Sequence, residues 1–139
     1  MLTKAFPFLS IVILLFPMGV FMLASPPLLI LKHDTPLDGR FIRGLFNLYY
    51  IAVMTIGVIA AAGCALVGRG TVAAAMIVLV AFVFGVRLVV ISQMDQLRGA
   101  IAAGELTAVS RFRRLHIAGM VLNVVQLGIV AWGMTRLVI

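Results

Sequence analysis

The sequence predicts an all-α integral membrane protein: one transmembrane domain, residues 1–139, folded as a four-helix bundle with up-down-up-down topology. Hydrophobic residues make up 64% of the chain and charged residues only 11%, which is far outside the range of soluble domains. Four apolar runs each approach the ~20 residues that a helix needs to cross the hydrocarbon core of a bilayer. Each run must be helical, because lipid cannot hydrogen-bond exposed backbone amides, and the alternating pattern of a membrane barrel is missing.

The first apolar run predicts a helix over about residues 6–31. Pro17 predicts a kink, and Pro26 with Pro27 predicts a second bend or an early end, because proline removes a backbone donor and clashes with the preceding turn. The basic start of the chain resembles a signal peptide, but the run is longer than the roughly 7–15 apolar residues of a signal core. We therefore expect a retained helix.

The second and third helices are predicted over about residues 42–67 and 71–97. Only a tight turn joins them, so they must be antiparallel neighbours. The connection before the second helix is short and polar, and Pro36 and Gly39 are its expected turn residues.

Aromatic and small residues mark the second helix. Tyr49 and Tyr50 fall in its first turns, where amphipathic rings prefer the headgroup level of a bilayer. Small residues four positions apart predict a surface that another helix can approach closely. These pairs are Gly57 with Ala61, and Ala60 with Cys64. Cys64 is the only cysteine, so no disulfide can form within one chain.

Arg87 is the only formal charge well inside an apolar run. Its insertion costs about 2–3 kcal/mol unless it finds a partner. We favour a structurally paired arginine, or one whose long side chain reaches the interface, over an anion or headgroup site. All four acids of the chain lie toward the same end of the helix and are its expected partners. They are Asp34, Asp38, Asp95 and Glu105.

The fourth helix is predicted over about residues 107–137 and carries a polar stripe. His116, Asn123 and Gln126 share one face, which must turn toward the other helices because amides exposed to lipid lack partners. We favour interhelical hydrogen bonds that fix the register of the bundle. The alternative is a ligand or proton path that leads inward from His116. The candidate binding residues are Arg87, His116, Asn123, Gln126, Asn47 and Tyr50.

A weaker set of candidates could hold a metal ion. His33, Asp34, Asp38 and His116 would converge if the first connection folded over the charged segment 95–115, and such a set suits zinc. No helical spacing enforces this arrangement. We therefore favour solvated loop residues with both imidazoles at the surface, which also disfavours haem ligation, and we expect no cofactor.

The distribution of Lys and Arg predicts the orientation. Seven of the eleven lie in or beside the connections 32–44 and 95–115, and three lie toward the other end. The positive-inside rule then makes both connections cytoplasmic and puts both termini on the opposite side, across the inner or plasma membrane if the chain is bacterial. Topology accounts for the net charge of +7, and we expect no nucleic-acid partner because no basic face or aromatic platform lies outside the apolar runs.

An internal repeat is a minor interpretation. A shift of 71 residues aligns segment 40–43 with segment 111–114, and Gly57 with Gly128. The match would make the chain two similar helical hairpins in parallel orientation. The positive-inside rule alone, however, produces arginines at two helix entrances.

Two stretches resemble the small four-helix membrane family that includes transmembrane protein 205. The first stretch enters helix two and consists of Leu45, Phe46, Tyr49 and Tyr50. The second enters helix four and consists of Arg111, Phe112, Arg114, Leu115, His116, Met120, Leu122 and Asn123. The resemblance implies the four-helix membrane fold. Through the family's loose link with metal and drug tolerance, it also implies transport or membrane protection.

Three classes of function stay open. We favour a non-catalytic membrane protein, a helix-packing subunit or homo-oligomer whose partners are the lipid bilayer and its own copies or a larger membrane complex. The first alternative is a small transporter, or a metal or drug tolerance factor, that uses Arg87 and the polar stripe of helix four. The second alternative is a membrane enzyme with a cytoplasmic His/Asp metal site.

Overall fold

The computed structural model describes residues 2–138, and it describes side chains within residues 5–135. The described residues form four long α-helices and one short 3₁₀ helix, and they contain no strand. The α-helices are α1 (Leu2–Ala24), α2 (Pro36–Leu66), α3 (Gly70–Ala102) and α4 (Leu106–Val138), and the 3₁₀ helix covers Pro26–Ile30. The prediction of an all-α four-helix bundle is confirmed.

The helices pack in a ring. α1 contacts α2 and α4, and α3 contacts the same two helices from the other side. All four are long and apolar enough to cross a membrane, with candidate spans at Ala5–Ile30, Pro36–Leu66, Gly70–Ala102 and Leu106–Thr135. Large apolar side chains, among them Phe16, Leu66 and Val78, cover the outside of the bundle. These features support a multi-pass membrane protein, because a surface of this kind has lipid as its natural solvent.

α1 ends early, as the proline pair predicts. The helix stops at Ala24, and Pro26 and Pro27 occupy the first two positions of the 3₁₀ helix. The chain then runs through residues 31–35 to α2, and His33 has a positive φ of 62°. A left-handed conformation at a residue other than glycine is uncommon and marks a sharp change of chain direction.

The charged connections are shorter than predicted. α2 begins at Pro36, so Pro36 and Gly39 are helical and are not loop residues. The side chain of Thr35 caps this helix by accepting a hydrogen bond of 3.2 Å from the Asp38 amide, and proline suits the first helical position. α3 continues to Ala102, and only residues 103–105 separate it from α4.

The predicted helices left residues 98–106 between them, whereas only residues 103–105 lie outside α3 and α4, so most of the segment 95–115 is helical. The reason is length: α3 and α4 each contain 33 residues, about 50 Å at 1.5 Å per residue, whereas the hydrocarbon core is about 30 Å thick. The helices extend past the apolar runs into the region where charges are solvated.

Small residues bring α2 close to α3. Gly57, Ala60, Ala61 and Cys64 are all buried, and a Cβ atom added to Gly57 would lie 2.6 Å from Cγ2 of Val80. The predicted close approach is confirmed at Gly57, where the neighbouring helix belongs to the same chain. The internal repeat stays a prediction: shifted by 71 residues, α2 would cover residues 107–137, against Leu106–Val138 for α4.

Candidate functional site

The polar stripe of α4 lies inside the bundle. His116, Asn123 and Gln126 are at most 2% exposed, so the prediction that this face turns toward the other helices is confirmed. Their contacts fall into two groups. We call Ser25, His33 and His116 the histidine cluster, and Tyr49, Asn123 and Gln126 the tyrosine cluster.

The histidine cluster joins α4 to the end of α1 and to the connection that follows it. Nε2 of His116 lies 2.9 Å from Oγ of Ser25, and Nδ1 of His116 lies 3.0 Å from Nε2 of His33. All three side chains have no exposed surface. The expectation that both imidazoles lie at the surface is therefore wrong, because the left-handed turn at His33 brings its ring against α4 instead of into solvent.

The protonation of the histidine cluster concerns above all Nδ1 of His33. The single proton between the two rings can belong to either imidazole, and the hydroxyl of Ser25 can donate to His116 or accept from it. In both arrangements Nδ1 of His33 is buried and makes no hydrogen bond of regular geometry with a described residue, although the Leu31 carbonyl lies close enough to influence the ring. Burial lowers the pKa of His33, and the charge of Arg113 lowers it further, while the Leu31 carbonyl, Asp38 and Asp34 oppose the shift. The neutral ring is thereby favoured.

The metal candidates do not assemble. The structure brings His33 and His116 together, but within the described part of the chain no group of three or more His, Cys, Asp or Glu side chains could hold a metal ion. Asp34 is exposed on the connection, and Asp38 lies in the first turn of α2. Two imidazoles that hydrogen-bond each other leave an incomplete ligand set for zinc, which takes four ligands in structural sites.

The tyrosine cluster joins α2 to α4 and α1. The Tyr49 hydroxyl lies 2.6 Å from Oε1 of Gln126 and 3.1 Å from Oδ1 of Asn123, and the Asn123 amide donates to the Met18 carbonyl at 3.4 Å. Tyr49 and Tyr50 are thus buried inside the bundle. That they lie at the headgroup level of a bilayer stays a prediction.

The orientation of the Gln126 amide follows from donor counting. The Tyr49 hydroxyl has one proton and cannot donate fully to two carbonyl oxygens, while Nε2 of Gln126 is buried without a partner in the described part of the bundle. A 180° rotation of the amide lets Nε2 donate to Tyr49, whose proton then goes to Asn123. This assignment satisfies both donors.

An aromatic layer separates the two clusters. The Phe46 ring stands edge-on to His116 at a centroid distance of 5.5 Å and to Phe21 at 4.8 Å, and Phe21 stacks on Tyr49 at 4.4 Å. A Cβ atom added to Gly119, which lies between the clusters on α4, would clash with Phe46. The polar stripe is therefore interrupted by apolar rings.

Arg87 pairs with Asn47, which was not among its expected partners. Its Nε and Nη2 atoms donate to Oδ1 of Asn47 at 3.2 and 2.9 Å. Asp95, one of the acids expected to pair with it, instead binds Arg43 at 3.0 Å and Arg98 at 3.3 Å. The close approach of α2 and α3 explains the change, because it brings the Asn47 amide within reach of the guanidinium.

Sequence reasoning missed Ser25 and Tyr49 as members of these clusters. Ser25 carried a usable signal, a hydroxyl inside an apolar run directly before two prolines. Tyr49 carried none, because an aromatic residue near a helix start is equally typical of an interface ring.

The fold and its candidate spans place the chain in the class of multi-pass helical membrane proteins. Comparison with protein-family models, with curated proteins and with solved structures finds no match. The buried polar groups are therefore the features on which a function can be argued.

Proposed function

We propose that the chain is a non-catalytic integral membrane protein whose interior polar groups fix the arrangement of its helices. It would act as a packing subunit, either as a homo-oligomer or within a larger membrane complex. The observation that carries this proposal is the mutual pairing of the buried groups: Ser25 and His33 each pair with His116, and Tyr49 pairs with Asn123 and Gln126. Groups committed to one another across helices are not free to bind a solute.

The energetics agree with a structural role. Interhelical hydrogen bonds in membrane proteins contribute on average about 0.6 kcal/mol each, which is modest, but a buried polar group without a partner costs roughly 2–7 kcal/mol. The two clusters therefore discriminate strongly against rotated or shifted helices. They join α1, α2 and α4, and the close approach at Gly57 packs α2 against α3.

Association with a partner would use the apolar outside of the bundle. Gly57, Ala60, Ala61 and Cys64 are buried within the chain itself and do not offer a surface to another protein. Exposed rings such as Phe16, Phe82 and Trp132 remain on the outside, where lipid or a second protein would contact them.

A small transporter, or a metal or drug tolerance factor, is the second candidate. The hydrogen-bonded series Ser25–His116–His33 favours it, because imidazoles can take up and release protons and Nδ1 of His33 makes no hydrogen bond of regular geometry with a described residue. The Phe21 and Phe46 layer counts against a continuous route to Asn123.

Flux measurements separate these two candidates. The purified protein is reconstituted into liposomes with a trapped pH dye, and native mass spectrometry of the same preparation records bound chains. We expect proton flux equal to that of empty liposomes, together with a fixed homo-oligomer or a co-purified partner. Flux that disappears in Asn123→Leu or Arg87→Ala, with normal folding, would establish the transporter instead. Stoichiometric metal in the purified protein that is lost in His116→Ala would favour the third class, a membrane enzyme with a His/Asp metal site.

We also propose the orientation and the family that the sequence indicates. Contacts of His33 with His116, and of Arg43 with Asp95, bring both charged connections to one end of the bundle, as a cytoplasmic placement of both requires.

The residues that carry the resemblance to the family of transmembrane protein 205 include several core side chains. Those that are buried are Phe46, Tyr49, Tyr50, Phe112, His116 and Asn123.

A further inference from the structure

An amphipathic groove runs between α3 and α4 on the outside of the bundle. Near the charged end it has a volume of about 520 Å³, and Arg111 and Arg114 line it together with Gln93 and Gln96. Toward the membrane interior a second depression of about 500 Å³ lies along the same two helices. It begins one helical turn beyond Gln93 on α3 and one turn beyond Ala118 on α4. This second part is lined by apolar residues, among them Gly85.

The charged part of the groove is complementary to an anion. Arg111 and Arg114 are three residues apart on α4 and therefore share a face. Both are exposed, and neither forms an ion pair within the part of the chain that the structure describes. None of the described residues that line this part is acidic, whereas Asp95 lines the depression beside Arg87.

The depth of the groove matches one leaflet. Arg111 and Arg114 precede the apolar run of α4 by three to six residues, about 5–9 Å, which is the level of the headgroups. From Gln93 to Ala81, at the far end of the apolar part, α3 rises by about 18 Å, slightly more than half of the roughly 30 Å hydrocarbon core.

We propose that this groove binds one anionic phospholipid, with its phosphate between Arg111 and Arg114 and an acyl chain along Gly85. The two guanidinium groups supply charge-assisted hydrogen bonds to the phosphate oxygens, and the amides of Gln93 and Gln96 can donate to the polar headgroup. Gly85 leaves room for the chain, because a Cβ atom built there meets no described atom within 4 Å.

The test uses the full-length protein in mild detergent, titrated with phosphatidylglycerol or with phosphatidylcholine of the same acyl chains and followed by native mass spectrometry. We expect one tightly bound phosphatidylglycerol and at least about tenfold weaker binding in Arg111→Gln/Arg114→Gln, because each charge-assisted contact contributes roughly tenfold or more. The matched control Arg40→Gln/Arg113→Gln removes two exposed charges from the same end of the molecule and should retain the wild-type affinity.

A second pair of variants tests the acyl chain without changing charge. Gly85→Leu fills the apolar part of the groove and should weaken phosphatidylglycerol binding severalfold, whereas Gly99→Leu, at an exposed glycine of α3 outside the groove, should not. Equal losses in the two arginine double variants would show general attraction to anionic lipid and overturn the proposal, as would phosphatidylcholine binding as tight as that of phosphatidylglycerol. Wild-type phosphatidylglycerol affinity in Gly85→Leu would overturn the placement of the acyl chain along Gly85.

Discussion

The imidazole of His33 lies 3.0 Å from that of His116, although the two residues are 83 positions apart in the sequence. This contact ties the connection after α1 to the first third of α4. It also buries a titratable ring whose neutral form the surroundings favour, since burial and the charge of Arg113 lower the pKa of His33.

Stability is therefore expected to depend on pH. The unfolded chain protonates His33 near its ordinary pKa of 6.5, whereas the folded protein does so only at lower pH. The unfolded state thus binds more protons between these two pH values. The contribution of His33 to the free energy of unfolding is therefore fully present above about pH 6.5 and is lost as the pH falls toward the folded pKa. Thermal unfolding in detergent at pH 7.5, 6.5 and 5.5 should give falling midpoints.

His33→Gln provides the control for this prediction. Glutamine keeps a hydrogen-bonding side chain but cannot titrate, so the decline below pH 6.5 should be smaller than in the wild type. Parallel pH profiles for the two proteins would contradict the burial of a neutral His33.

The number and type of helices followed from the sequence because lipid permits only one backbone solution for an apolar run of this length. The helix ends did not. Residues 95–102 carry charge and amides, but Gln, Leu, Arg and Ala are good helix formers, so α3 continues where its apolar run stops. Charge marks the end of the hydrocarbon and not the end of the helix.

The inward face of α4 was also predictable, since amides avoid lipid, but the partners of its side chains were not. The contact of His33 with His116 depends on the path of residues 31–35, where a left-handed residue gives no periodic signal. The position of Arg87 along α3 can be read from the sequence. Its pairing with Asn47 instead of an acid could not be predicted, because it depends on how α2 and α3 are rotated about their axes.

The Tyr49 hydroxyl should stabilise the bundle. Tyr49→Phe removes the donor to Asn123 and leaves a buried amide oxygen without its partner, which we expect to cost about 1–3 kcal/mol. Tyr50→Phe is the matched control, because Tyr50 is equally buried and its hydroxyl makes no hydrogen bond with any described residue. Unfolding in denaturant should rank Tyr49→Phe clearly below Tyr50→Phe, and equal losses would argue against the tyrosine cluster.

Gly119 should tolerate no side chain. A methyl group there would clash with the Phe46 ring, so Gly119→Ala is expected to destabilise the protein by about 1–3 kcal/mol through overpacking. At Gly128, also within α4, a Cβ atom would meet no described neighbour within 4 Å, and alanine should gain roughly up to 1 kcal/mol of helix propensity. Opposite shifts of the unfolding midpoint in the two variants would agree with this packing, and a stabilised Gly119→Ala variant would contradict it.

The pairing of Arg87 with Asn47 predicts a particular order of stabilities. Asn47→Leu leaves a half-buried guanidinium without its acceptor, so it should destabilise the bundle more than Arg87→Met, which removes the charge and leaves only a neutral amide unpaired. The double variant Arg87→Met/Asn47→Leu should then be more stable than Asn47→Leu alone, because neither polar group remains. Thermal unfolding of the four proteins in one detergent measures the coupling between the two residues. Additive effects of the two substitutions would show that Arg87 reaches the interface and does not depend on Asn47.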